Sequence, residues 1–200
     1  MNNVLYESLP TEWNGYHINT GFHIGVQITL LLDDKTLNGR LKTEALLYLL
    51  FANDEGEIED CPQTVEELEE CIRFFLEGWS HDKTPDTKKN EKVMDFNIDQ
   101  GRIFADFMQF YGIDLEYEEM HWWKFCWLLW NMPHERSSFL QVIEIRRKKV
   151  KANASAEERK AIKEAQNIYG LEQPEKVLTD EEKAKIDAYD EWMRTIKQKK

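Results

Sequence analysis

The hydrophobic pattern of the chain changes period near residue 20. Before it, Val4-Leu5-Tyr6 and Tyr16-His17-Ile18 lie on either side of Asn14-Gly15. An Asn-Gly pair suits the backbone of a tight reversal, so residues 1–19 are expected to form a short β-hairpin or two extended arms. After it, Phe22, Val26, Thr29 and Leu30 recur at helical spacing, with Thr20 placed to cap the amides that follow and Asp33-Asp34 marking the end. A second helix is predicted after Gly39, with Leu41, Ala45, Tyr48, Leu49 and Ala52 sharing a face.

The acidic, turn-rich stretch Asn53 to Gln63 reads as a loop. Thr64 and Glu67 form a capping-box signature for a helix running to about Leu76, with Val65, Leu68, Ile72 and Phe75 as its apolar face and Gly78 as its stop. Ser80 to Lys92 carries almost no apolar residues and reads as a linker or long loop. The most apolar part of the chain follows. Asp95-Phe96 and Asp99 introduce a helix with Ile103, Phe104, Phe107, Met108 and Tyr111, stopped at Gly112. Another is predicted from about Tyr117 to Asn131, ended by Pro133. Ser138 with Gln141 is placed to cap a further helix through Phe139, Val142, Ile143 and Ile145, which grades into the basic run Arg146 to Lys151. Ser155 with Glu158, and Thr179 with Glu182, open charged helices over 156–169 and from about 180 onward. Their apolar stripes are thin (Ile162, Ala165, Tyr169; then Ile186, Tyr189, Met193, Ile196), so both are expected to be mobile or to dock on something.

These elements describe an all-α protein, mainly a helical bundle, with a short N-terminal β-hairpin or extended arm and charged C-terminal helices. The expected parts are the arm at 1–19, a helical core at 20–151 containing a loop at 80–94, and a charged extension at 152–200. At 200 residues and 42% apolar composition the chain can bury a substantial core. No apolar run approaches the roughly 20 residues that cross a bilayer, and the N-terminus shows neither a basic start nor an apolar segment, so no secretion signal is expected.

Charge is unevenly spread. Residues 1–143 hold 26 acidic and 11 basic residues, a net of −15, whereas residues 144–200 hold 12 acidic and 15 basic, a net of +3, which together give −12. A body this acidic repels phosphate backbones and favours a basic partner surface. Cys61, Cys71 and Cys126 are odd in number and far apart, which argues against a disulfide framework and against a Cys-x-x-Cys metal or redox site.

Candidate chemistry is sparse. His121 with Glu118 or Glu119 could be drawn as a metal site, but no ligand spacing supports it, and capping or packing one edge of an aromatic helix is the plainer reading. The chain has no Gly-x-Ser-x-Gly, no phosphate-cradling glycine loop, and no cysteine in a catalytic setting. Adjacent acids such as Glu66-Glu67, Glu69-Glu70 and Glu118-Glu119 read as a solvated face. Aromatic density is the feature out of the ordinary. Trp122, Trp123, Phe125, Trp127 and Trp130 cannot all point the same way on one helix at about 100° per residue, so the helix is either central and buried on most sides or turned on one side to a partner. The run at 146–151 could contact phosphates, or could be a solvated helix end that complements the macrodipole and pairs with the acidic body.

The segments DFNIDQGRIFADFMQFYGIDL (95–115) and MHWWKFCWLLWNMP (120–133) resemble the gene-product-fifteen family of tailed bacteriophages. The Asn19-Thr20-Gly21-Phe22 lead into a helix, the run Ala45 to Phe51, and Ile145-Arg146 are also similar, and the likeness extends over about residues 15–170. The resemblance implies a small siphophage or prophage protein encoded near the tail tape-measure gene and read as a tail assembly chaperone or tail-associated protein. No catalytic residue and no cofactor come with it. Phe96, Asp99, Tyr111, His121, Trp122, Trp123 and Phe125 are implied as fold-defining positions with contact roles, and Trp127 and Trp130 join them as candidate protein-interaction residues. The leading expectation is a chaperone-like protein of the host cytoplasm that binds tape-measure protein, tail tube protein or both, with self-association open and no membrane partner. The alternatives are a structural tail or connector component retained in the virion, and a nucleic-acid-binding regulator acting through 146–151 and 194–200.

Overall fold

The computed structural model describes residues 4–80 and 92–171. It contains a two-stranded antiparallel hairpin, β1 (Glu12–Trp13) and β2 (Tyr16–His17), and the helices α1 (Phe22–Asp33), α2 (Gly39–Phe51), α3 (Val65–Glu77), α4 (Phe96–Tyr111), α5 (Trp122–Trp130), α6 (Ser138–Arg147) and α7 (Ala156–Tyr169). The fold is mainly helical, as the sequence pattern predicts. The predicted helix from about 180, and the predicted linker apart from Ser80 and Lys92, lie outside the described residues.

The hairpin turns at Asn14-Gly15, where both residues have positive φ (49° and 90°), the backbone of a tight reversal whose twist matches its strands. Its first strand is not Val4–Tyr6. A two-residue turn fixes the register at Trp13↔Tyr16 and Glu12↔His17, so only the residues immediately before the turn can pair. Leu5 and Tyr6 are exposed.

Local caps explain most helix boundaries. Thr64 accepts the amide of Glu67 and opens α3, and Asp95 accepts the amides of Asn97 and Ile98 and opens α4. Gly112, left-handed at φ 65°, closes α4. Ser155 and Glu158 form a reciprocal capping box at α7. Three predicted caps or starts are displaced, each for a tertiary reason. Thr20 does not cap α1: its carbonyl accepts the amide of Trp122, while the amide of Phe22 goes to Met120, in a short antiparallel bridge of Gly21 with His121. That bridge also holds residues 118–121 outside the helical conformation, so α5 begins at Trp122 and not near Tyr117. The cap of α6 is Ser137, one residue before the predicted Ser138, and the buried Asp106 carboxylate on α4 holds both serines at that helix start.

Helix faces are also corrected. On α2 the core residues are Leu46, Leu50 and Phe51, while Leu41 and Tyr48 of the predicted face are exposed. On α3, Leu68, Ile72 and Phe75 are buried as predicted, but Val65 is exposed and Cys71 takes a core position. α7 packs on α6, with Ile162, Ala165 and Tyr169 of its thin stripe half-buried, and Gln166 donates to the carbonyls of Ile145 and Lys148 at the end of that helix.

α5 lies at the centre, packed against both α1 and α3, while α4 packs on α6. Phe125 is the hub. Its ring stacks on Phe22 of α1 (5.0 Å), Phe107 of α4 (5.1 Å) and Trp122 of its own helix (5.6 Å), joining three helices through one fully buried side chain.

Candidate functional site

Of the nine candidate interaction residues, Phe96, Asp99, Trp122, Trp123 and Phe125 are buried, and Tyr111, His121, Trp127 and Trp130 are half-buried. The structure brings the aromatic ones together around α5, and it gives most of them internal tasks. The indole N–H groups of Trp122 and Trp123 donate to the carbonyls of Leu76 (3.4 Å) and Phe75 (2.8 Å), and Trp127 donates to Trp79 (2.8 Å). The Phe75 and Leu76 carbonyls are among those that the end of α3 leaves without intrahelical partners, and Trp79 lies two residues past that end, so the tryptophan row closes a neighbouring helix and holds the chain that leaves it. Tyr111 donates to the carbonyl of Leu128 (2.7 Å), and Arg147 lies over the ring of Trp130.

Two glycines make this packing possible. A Cβ on Gly25 of α1 would stand 2.1 Å from the Trp122 ring, and one on Gly78 would stand 2.3 Å from the Trp123 ring. Neither appears in a hydrophobic pattern, because a glycine reads as a gap in a stripe.

Asp99 and Arg146 form a buried pair. The guanidinium donates to both carboxylate oxygens, at 2.7 and 2.9 Å, and to the carbonyls of Val93 and Tyr169. At its first residue the basic run is not a solvated helix end but pairs with the acidic body, through a side chain that is 6% exposed; Arg147, Lys148 and Lys149 remain exposed. A second buried acid, Asp106, was not singled out by sequence reading. It accepts the Ser137 hydroxyl (2.6 Å) and the Phe139 amide (3.0 Å) at the N-terminus of α6, where a carboxylate is electrostatically favoured.

His121 has both ring nitrogens engaged. Nδ1 accepts the Trp123 amide (3.0 Å), so Nε2 carries the hydrogen and donates to the Pro10 carbonyl (2.9 Å). Burial lowers its pKa, with the Pro10 carbonyl acting the other way. A lowered folded-state value means the stabilisation is complete above the unfolded value of about 6.5 and is lost as pH falls through the folded value. Protonated Nδ1 would also cease to cap α5. The melting temperature is accordingly expected to drop between pH 7 and pH 5, and less so in His121→Asn, which caps without titrating there. An unchanged pH dependence in that variant, followed by circular dichroism, would contradict the assignment.

The cysteines offer no reactive thiolate in the core: burial pushes Cys71 up to about 12 and raises Cys126 further. Among the described residues, no group of three or more His, Cys, Asp or Glu side chains is arranged to hold a metal ion, and no helix is long and apolar enough to cross a membrane.

What the surface does offer is a groove of about 520 Å³ between α1 and α4. Phe22, Val26 and Leu30 line one wall, Phe96, Ile103 and Phe104 the other, with Phe125 and Leu115 also contributing. Of the α1 residues that recur at helical spacing, Phe22, Val26 and Leu30 thus face this groove, while the buried residues of α1 are Phe22, Gly25 and Ile28. On α4, Phe104 and Met108, two of the apolar residues that mark the predicted helix, are 39% and 43% exposed. The polar groups at the groove are His23, Gln27, Asn97, Gln100 and Glu116, a set without a nucleophile paired to a base. Its chemistry is that of a surface for apolar contact.

Comparison with protein families matches residues 1–171 to the family described as Bacteriophage Gp15 protein. No curated protein and no solved structure matches the chain.

Proposed function

From the premise that the chain belongs to the Bacteriophage Gp15 protein family, we propose that it is a tail assembly chaperone-like protein that binds tape-measure protein, tail tube protein or both during tail morphogenesis. The observation that carries this reading is the open groove between α1 and α4, walled by aliphatic and aromatic side chains, in a body whose first 143 residues have an excess of acidic side chains. A groove of this kind accepts the apolar face of a helix, and a long helical tail protein held this way would have its apolar stripes covered until tube subunits replace the chaperone. The acidic surface keeps such a complex soluble. The cytoplasm of the infected host, where tails assemble, is the corresponding location.

The test is co-purification of the tagged full-length protein from phage-producing cells. Recovery of tape-measure or tube protein is the expected result, together with its absence from purified virions by mass spectrometry. A fixed number of copies in the virion would favour a structural tail component, and recovery of neither tail protein would reject the chaperone reading.

A further inference from the structure

The groove also carries information about the chemistry of what fills it. Gly101 lies within α4, lines the groove and is exposed, and a Cβ placed on it would meet nothing within 4 Å. Glycine inside a helix weakens it relative to alanine, a cost that close packing explains at Gly25 but that no internal neighbour explains at Gly101. An unfilled glycine in a groove wall lets another backbone approach α4 more closely than any side chain would allow.

Charge at the groove's ends narrows the choice of occupant. Beyond Leu30 and Asn97 the groove continues into a depression lined by Asp33, Asp34 and Asp95; Lys92, the one cation lining it among the described residues, is paired with Asp33 and Asp95, and Lys42 donates to the Leu32 carbonyl beside it. At the other end stands Glu116, and the adjoining hollow past Phe22 and His23 holds Asp54 and Glu119. The apolar middle from Phe22 to Leu30 spans about 12 Å at 1.5 Å per residue, the length of two helical turns.

Resting on the chaperone reading and naming the partner segment for it, we propose that the α1–α4 groove binds one amphipathic helix of another polypeptide, with an apolar stripe at its middle, lysine or arginine flanking that stripe at both ends, and its backbone seated against Gly101. Apolar contact supplies the affinity, and the two acidic ends select basic flanks and fix the position of the helix along the groove.

The full-length protein is titrated, in about 0.15 M salt, into two labelled peptides of about 18 residues, or five turns. Both have the same leucine stripe; one has lysine flanks and the other glutamate flanks. Fluorescence anisotropy is expected to show the lysine peptide binding at least tenfold more tightly. Gly101→Leu, which fills the wall without changing charge, is expected to weaken that peptide at least tenfold while Gly101→Ala and the helical circular dichroism of both variants show that the fold is intact. Equal affinity for the two peptides, or full binding to Gly101→Leu, overturns the inference. If Gly101→Leu still captures tape-measure protein from cells as the wild type does, the groove assignment fails and the chaperone reading survives. If the wild type captures no tail protein but binds the lysine peptide through Gly101, the groove assignment survives and the chaperone reading fails.

Discussion

Gly25→Ala is expected to destabilise the protein by about 3 kcal/mol, the upper part of the range for forcing one extra methyl into a packed core. The new Cβ would stand 2.1, 2.2 and 2.8 Å from three ring atoms of Trp122, well inside van der Waals contact. The indole cannot step aside cheaply. It is 5% exposed, its N–H reaches the Leu76 carbonyl, one face lies on Phe125, and Phe96 meets it edge-on. Relief has to come from separating α1 from α5, which strips contact from the centre of the molecule. In a chain of this size the expected fall in melting temperature is on the order of 10 °C. Gly39→Ala is the control, since its Cβ would meet nothing within 4 Å and its φ lies in the ordinary region, so it is expected to melt with the wild type or slightly above. Thermal unfolding of the two variants side by side decides the matter: if Gly25→Ala melts like Gly39→Ala, α1 and α5 do not pack as described.

The contrast between those glycines shows what the sequence could and could not reveal. Capping boxes such as Thr64 with Glu67 and Ser155 with Glu158 were legible because both partners lie within one helical turn, and the turn at Asn14-Gly15 was legible because its backbone requirement is local. The start of α5 was not, because the bridge that delays it pairs His121 with Gly21, one hundred residues earlier in the chain. The apolar stripe of α1 was found, but not its destination: Val26 and Leu30 would serve equally well in a closed core or on the wall of a groove, and only the placement of α4 distinguishes the two. The candidate row of tryptophans was equally plain, yet its use in closing α3 depends on where the Phe75, Leu76 and Trp79 carbonyls fall in space. The groove itself has no sequence signature, since it is the space left between two helices that are far apart in the chain.

Arg146→Met is expected to cost about 3–5 kcal/mol, the magnitude for removing one partner of a buried ion pair and leaving the other charge without its counterion. The Asp99 side chain is fully buried and Arg146 is nearly so, and the guanidinium also binds the carbonyls of Val93 before α4 and Tyr169 at the end of α7. What would remain for Asp99 is the Asp95 amide at 3.1 Å and the half-buried Arg102 at 3.6 Å, too little to replace a two-pronged contact. Because one side chain joins α4, α6 and α7, the damage should reach α7 first: limited proteolysis is expected to cut within 156–169 in the variant under conditions where the wild type is spared. Asp99→Leu together with Arg146→Met removes both charges, so the double variant is expected to recover part of the loss and to be more stable than Arg146→Met alone. Lys149→Ala, three residues along the same basic run and exposed, should stay within about 0.5 kcal/mol of wild type when the variants are unfolded with urea side by side. If Arg146→Met and Lys149→Ala unfold at the same urea concentration, Arg146 is only another solvated cation of the run and the buried pair does not hold the three helices together.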